Sequence, residues 1–171
     1  MICILVKRFE GDVWMDAVFK TQKGIFNYRA AGVWMENGYV LLHKQVQDEH
    51  WTLPGGRVNL MEDSKSAVQR EIQEELGQKV EVNNLLWITE NFFVYNQSPI
   101  HEVGLYYHIE AANNASFFNK DTFFGLEGER LLYKWFLINE LEEIELYPEF
   151  LKAGLKRLPG TPEHVIIKQD S

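Results

Sequence analysis

The sequence predicts an α/β fold with a mixed β-sheet between helices, and two observations carry that reading. Runs of aromatic and β-branched residues of strand length recur along the chain, in greater number than a plain βαβ alternation supplies. One segment among them, Ser64 to Leu76, has helical spacing instead. At about 100° per residue Val68, Ile72 and Leu76 form an apolar stripe, and Glu71, Glu74 and Glu75 share the face beside it.

The elements follow in chain order. Residues 1–14 are unplaced, either a leader or an extra edge strand, with Met15 as an alternative start. Asp16 to Lys20 reads as a short strand ending in a turn near Lys23-Gly24. Phe26 to Met35 reads as a strand. The turn Glu36-Asn37-Gly38 pairs it with Tyr39 to His43, since Asn-Gly takes the positive φ that a tight hairpin needs. Trp51 to Gly56 reads as a short strand running into a glycine turn. The helix from Ser64 to Leu76 takes Asp63 or Ser64 as its cap and ends at Gly77, which can adopt the left-handed conformation. Leu85 to Tyr95 and His101 to Glu110 read as two strands joined by a turn at Gln97-Ser98-Pro99. Ala111 to Glu129 is irregular, Leu131 to Ile138 is a strand, and Glu140 to Ile144 and Glu149 to Leu155 look helical. His164 to Lys168 closes the series as a short strand.

With 171 residues, 46% of them hydrophobic and 25% charged, residues 1–171 read as a single domain with a substantial core. A formal net charge of −8 argues against a stable nucleic-acid partner held through phosphate contacts. It does not oppose a small anionic substrate, because a bound divalent cation inverts the local sign of a site. Cys3 is the single cysteine, so no intramolecular disulfide forms, which suits a reducing compartment. The apolar run Ile2 to Val6 is too short to span a membrane and lacks the parts of a signal peptide. The expectation is a cytoplasmic protein with no membrane partner, to which a homodimer is open.

The chemistry lies in the segment Gly56 to Gly77, GRVNLMEDSKSAVQREIQEELG. Clustered carboxylates raise one another's pKa unless a cation sits among them, and hard oxygen donors at this density suit Mg²⁺ or Mn²⁺. Arg70 stands one turn before Glu74 and is placed to orient it through an ion pair. Gly55 and Gly56 permit a tight loop before the helix, and Glu62 near the end of that loop is a fourth acid able to fold back over the cluster. The plainer reading of such a helix is a solvated, Glu-rich face.

Gly56, Glu62, Arg70, Glu71, Ile72, Glu74, Glu75 and Gly77 together resemble the Nudix box: Gly, five residues, Glu, seven residues, then Arg-Glu-apolar-any-Glu-Glu-any-Gly. One departure is Gln78, where the box carries an apolar residue; this loosens the expected packing at the helix end without touching a ligand. Arg29-Ala30-Ala31-Gly32, Trp51 to Gly56 and Trp135 to Leu141 are similar to the family's flanking elements. The resemblance implies a Nudix α/β/α sandwich and a Mg²⁺-assisted attack of water on a diphosphate bond. The substrate would be a small nucleotide derivative: ADP-ribose, a nucleotide sugar, a dinucleoside polyphosphate or a nucleoside triphosphate. It further implies Glu71 and Glu75 as principal ligands and Glu74 as a ligand or the group orienting the water. Glu62 would be an auxiliary ligand and Gly56 a donor through its carbonyl. A nucleotide-sensing module without turnover is the alternative; it would be expected to show a broken acid set, and none is visible.

Outside the box, Glu127 and Glu129 are candidate catalytic acids on a mobile loop, or ordinary solvated loop residues. Phe117, Phe118, Phe123 and Phe124 either stack on a base or pin that loop to the core. Arg29 is a phosphate clamp or a structural ion-pair partner, and Lys44, Arg57 and His101 are further candidates for substrate contact.

Overall fold

A computed structural model describes residues 6–8, 13–112 and 116–168. Cys3 lies outside them, as do residues 9–12 of the N-terminal segment and residues 113–115 of the irregular stretch. Strands β1 (Val6–Arg8) and β2 (Val13–Met15) pair with each other as a separate two-stranded sheet.

The main sheet is built on β4 (Gly24–Glu36). Its first residues, Gly24 to Asn27, pair antiparallel with β3 (Val18–Thr21), and most of its length runs parallel to β8 (Ser98–Ala111), from Ile25 opposite Ile100 to Trp34 opposite Ile109. Short β6 (Gly55–Arg57) pairs with Arg29 to Ala31. Strand β7 (Val80–Tyr95) lies beside β8, and β11 (Glu163–Lys168) runs parallel to β7 at one edge. On the other side β5 (Tyr39–Gln45) pairs with β10 (Leu131–Leu137), and β10 with the two-residue β9 (Phe123–Phe124).

The β4–β5 hairpin closes as Asn-Gly requires, with φ of 53° at Asn37 and 81° at Gly38. The two strands then separate after only Met35–Val40 and Glu36–Tyr39 have paired. The Trp51 to Gly56 run fills the opening: His43 and Thr52 exchange backbone hydrogen bonds of 2.9 and 2.8 Å, and Gly32 N–H donates to Pro54 O at 2.9 Å. That opening is where the site forms.

Period-2 alternation along β4 feeds two cores. Ala30 and Trp34 face helix α1 (Ser64–Leu76), whose Ala67, Val68, Ile72 and Leu76 join them with Leu41, Tyr133 and Trp135. Ala31 and Val33 face the opposite layer, a 3₁₀ turn over Ile138–Glu143 and helix α2 (Leu151–Gly154), through Leu141, Leu151 and Leu155. The result is the expected α/β/α sandwich. Each fully buried aliphatic side chain of the α1 stripe contributes roughly 1.5–3 kcal/mol.

Helix α1 begins where the sequence predicts. Asp63 Oδ1 accepts from Lys65 N–H at 3.0 Å and Ser66 N–H at 3.1 Å. Gly77, at φ 67°, closes the far end by donating to Gln73 O at 3.0 Å, so Gln78 leaves the helix end intact.

Other boundaries differ for local reasons. Strand β7 starts at Val80, five residues before the expected Leu85, because Asn83-Asn84 sits in a bulge rather than a turn. The β7–β8 turn is Asn96-Gln97, both at positive φ, so Ser98 and Pro99 already belong to the strand. The expected strand at Trp51 makes only isolated bridges, and the ordered strand begins at Gly55.

Candidate active site

The two glycines at the head of α1 bring loop backbone against a carboxylate. A Cβ at Gly55 would stand 2.3 Å from Ala30 O, and one at Gly56 would stand 2.3 Å from the carboxyl carbon of Glu71. Any side chain at position 56 would therefore displace Glu71.

Arg70 organises one end of the acid set. Its Nε and Nη2 donate to the two oxygens of Glu62 at 2.8 and 2.9 Å, and Nη1 donates to Glu71 Oε1 at 2.8 Å and Glu74 Oε2 at 3.2 Å. Nη2 also donates to Arg57 O at 3.0 Å, which staples the helix to β6. Glu62 accepts in addition from Asn59 N–H at 2.9 Å.

Glu75 organises the other end, and there the partners come from distant strands. Its side chain turns toward the sheet and is 4% exposed. Tyr133 O–H donates to Glu75 Oε2 at 2.9 Å, and His43 Nδ1 lies 3.4 Å from the Tyr133 hydroxyl and 3.9 Å from Glu75 Oε2. His43 and Tyr133 are cross-strand partners on β5 and β10, which explains how both reach one acid.

These surroundings set the protonation states. Burial first, then the Glu71 charge, push the Glu75 carboxyl up to about 7 against the opposing Tyr133 hydrogen bond and Arg29. Burial also holds Glu71 above the ordinary carboxylate range despite Arg70. Burial acts on Glu62 in the same direction, but hydrogen bonds from Arg70 and Asn59 outweigh it and its pKa is lowered. Burial, with the charges of Arg29 and Arg130, drives His43 down to about 3, so it is neutral near pH 7. The 3.9 Å approach to Glu75 is therefore not an ion pair.

The donors fit a hard divalent cation. Among the described residues, Oε2 of Glu71 and Oε1 of Glu75 carry no hydrogen bond, while their partner oxygens are held by Arg70 and Tyr133. Two neighbouring carboxylates that repel each other, buried Glu75 and half-buried Glu71 on the Gly56 backbone, are the arrangement a cation relieves. No group of three acidic or histidine side chains is already drawn into a closed cage among the described residues. Arg70 instead gathers Glu62, Glu71 and Glu74, and Glu74 stays outward with its side chain 51% exposed.

A family model described as NUDIX domain matches residues 27–157. The chain belongs to the NUDIX family. A MutT-like protein of Streptomyces ambofaciens is 35% identical over 72 residues, which cover 42% of this chain and 47% of that protein; the chain thus spans about half that relative's length. A NUDIX hydrolase from Nitrosomonas europaea shares the fold over 97% of this chain and 94% of its own, with a TM-score of 0.57 at 20% identity. A MutT NUDIX hydrolase from Burkholderia pseudomallei superposes on 68% of this chain and 86% of its own, with a TM-score of 0.52 at 25% identity.

The NUDIX box is assembled; the residues expected to assist it are brought to it unevenly. Arg29, whose Nη2 donates to Leu53 O at 3.0 Å, acts electrostatically on Glu71, Glu75 and His43 and borders the site. Glu127 acts on Glu75 and Tyr133, and its carboxylate is paired with Arg130. Glu129 is exposed and makes no hydrogen bond or ion pair among the described residues. Lys44 is spent on Asp48 O at 2.9 Å and the Trp51 ring, and the Arg57 guanidinium on Asn27 and Asp16. His101 does not reach the box. It stacks on Phe92 at 4.4 Å and meets Phe26 edge-on, lining a separate cleft of about 500 Å³ with no box residue in its wall. The box and this cleft lie four residue positions apart along β4, at Ala30 and Phe26.

Three of the four loop phenylalanines pin the loop. Phe117 stacks on Trp34 at 5.2 Å, Phe118 meets Trp135 edge-on at 5.6 Å, and Phe123 stacks on Tyr133 at 5.6 Å. Phe124 faces outward. His43 and Tyr133 were not among the expected residues. Only the β5–β10 register shows that they share Glu75.

Proposed function

We propose that this NUDIX protein is a pyrophosphohydrolase, cleaving with Mg²⁺ (or Mn²⁺) a diphosphate bond in a nucleoside diphosphate linked to a further group. The observation that supports it most directly is the pair of carboxylates, half-buried Glu71 and buried Glu75, each with one oxygen held and one without a hydrogen bond among the described residues. Glu71 and Glu75 would hold the cation, with Glu62 in reserve on Arg70 and the Gly56 carbonyl as a further donor. When bound, the cation neutralises phosphate charge and makes the attacking water more acidic. Exposed Glu74 orients that water and takes its proton. The water oxygen bonds to phosphorus, the bridging P–O bond breaks, and its electron pair leaves with the departing phosphate. Arg29, which borders the site, bears on the charge of the diphosphate. The pairing of β11 with β7 ties residues up to 168 into the sheet of the matched 27–157, which supports reading 1–171 as one domain.

The test is a panel of ADP-ribose, nucleotide sugars, dinucleoside polyphosphates and nucleoside triphosphates with Mg²⁺, with products identified by mass. Expected is turnover of at least one class that disappears on chelation. Full turnover in excess chelator, or none on any class with Mg²⁺ or Mn²⁺, overturns the proposal.

A further inference from the structure

We propose that Tyr133 is a positioning residue for the metal centre: its hydroxyl holds Glu75 Oε2 and so presents Oε1 alone to the cation. The inference rests on the function proposed above and adds to it a residue outside the NUDIX box.

The geometry fixes the hydroxyl as firmly as a helix fixes an acid. Tyr133 is fully buried, and its ring is stacked on Phe123 on one side and packed against His43 on another. Gly125 closes the third side, so tightly that a Cβ there would stand 3.0 Å from Tyr133 Cε2 and 2.3 Å from Glu75 O. The hydroxyl cannot leave Glu75 without moving the 123–126 segment. That segment grips the same residue at its backbone, where Leu126 N–H donates to Glu75 O at 2.7 Å. Glu75 is therefore held at its carbonyl and at one carboxylate oxygen, both times from a part of the chain at least fifty residues downstream of the helix.

His43 completes the arrangement. With Glu75 ionised, the single hydroxyl proton of Tyr133 goes to the carboxylate, and the oxygen is left to accept from His43 Nδ1 at 3.4 Å. A neutral imidazole supplies that donor without adding a positive charge to compete with the cation. A ligand held by such outer partners loses little freedom on metal binding, and removing the partner typically costs about 10- to 100-fold in metal affinity.

The experiment measures Mn²⁺ binding by electron paramagnetic resonance on nucleotide-free protein, with Tm recorded in chelator. The proteins are wild type, Tyr133→Phe, Glu75→Gln and the double variant. Phenylalanine keeps the stacking and removes only the hydroxyl. Expected is a loss of about tenfold or more in Mn²⁺ affinity for Tyr133→Phe, an unchanged Tm in chelator, and no further loss when the change is made in Glu75→Gln. Wild-type affinity in Tyr133→Phe overturns the inference alone. So does an equal loss in both backgrounds, or a loss that tracks a fall in Tm, since either marks a structural role. A wild-type protein that binds no Mn²⁺ overturns the metal-centre reading itself, and this inference with it.

Discussion

The two ends of the acid set are built on opposite principles. At the Glu62 end, Arg70 supplies a full positive charge and its carboxylate is held ionised. At the Glu75 end, the partners are a phenol and a neutral imidazole, and the carboxyl is pushed up to about 7. Glu62 is charge-paired as it stands; Glu75 has no charged hydrogen-bond partner among the described residues. The difference teaches where a cation does most work, and it gives Arg70 a task apart from chemistry: it keeps three acids together on one helix and loop without letting them repel the fold apart.

The largest effect that sharpens this comparison is on turnover. Glu75→Gln, which removes a proposed cation ligand, should lower kcat on the order of a thousandfold, and Glu62→Gln by much less, with both measured under saturating Mg²⁺. Equal losses would erase the distinction between the two ends. Next in size, Arg70→Ala should destabilise the protein by about 1 to 3 kcal/mol in urea unfolding, because half-buried Glu62 is left without its charged partner. A variant as stable as wild type would show that the guanidinium is no organiser.

The pH dependence of the metal-free protein follows from the same contrast. A folded-state value near 7 against an ordinary 4.5 means folded Glu75 keeps its proton where the unfolded chain has lost it. Its contribution is present below about pH 4.5 and is lost as pH rises through 7, by at most about 3 kcal/mol. Glu62 has the opposite sign: its contribution is present above its ordinary value and is lost as pH falls through its lowered pKa. Tm in chelator should therefore fall from pH 5.5 to pH 8, and Glu75→Gln should flatten that slope. A wild-type slope that Glu75→Gln leaves untouched belongs to other groups. Smallest of all, Glu129→Gln should change kcat/KM by no more than about 0.5 kcal/mol in activation terms, whereas Glu127→Gln, near Glu75, should change it more.

How much of this was legible in the sequence depends on the range of the interaction. The cap at Asp63, the stop at Gly77, the Asn37-Gly38 hairpin and the Arg70–Glu74 pair are local, and each was readable from neighbours within about one turn. The Arg70–Glu62 grip spans eight residues and escaped notice because it needs the loop to fold back first. His43 and Tyr133 lie ninety residues apart and meet through strand register, which composition does not encode. His101 misled for the same reason. It was read as opening a strand that in fact starts at Ser98, and register set it opposite Phe26 rather than beside Gly56. The start of β7 shows the converse failure: the strand expected from Leu85 begins at Val80, because long-range pairing with β8 carries it through a bulge at Asn83-Asn84.

The parallel pairing of β4 with β8 joins residues some seventy-five positions apart, and β10 reaches β5 across ninety. Contacts of that separation form late, because the chain must first close long loops. Helix α1 is local and can appear early, yet the hydroxyl that steadies Glu75 arrives only when β10 docks. On the proposed metal centre, tight cation capture would report that the last third of the polypeptide has reached its native place, and a nascent or truncated chain carrying every box residue should hold the ion only loosely.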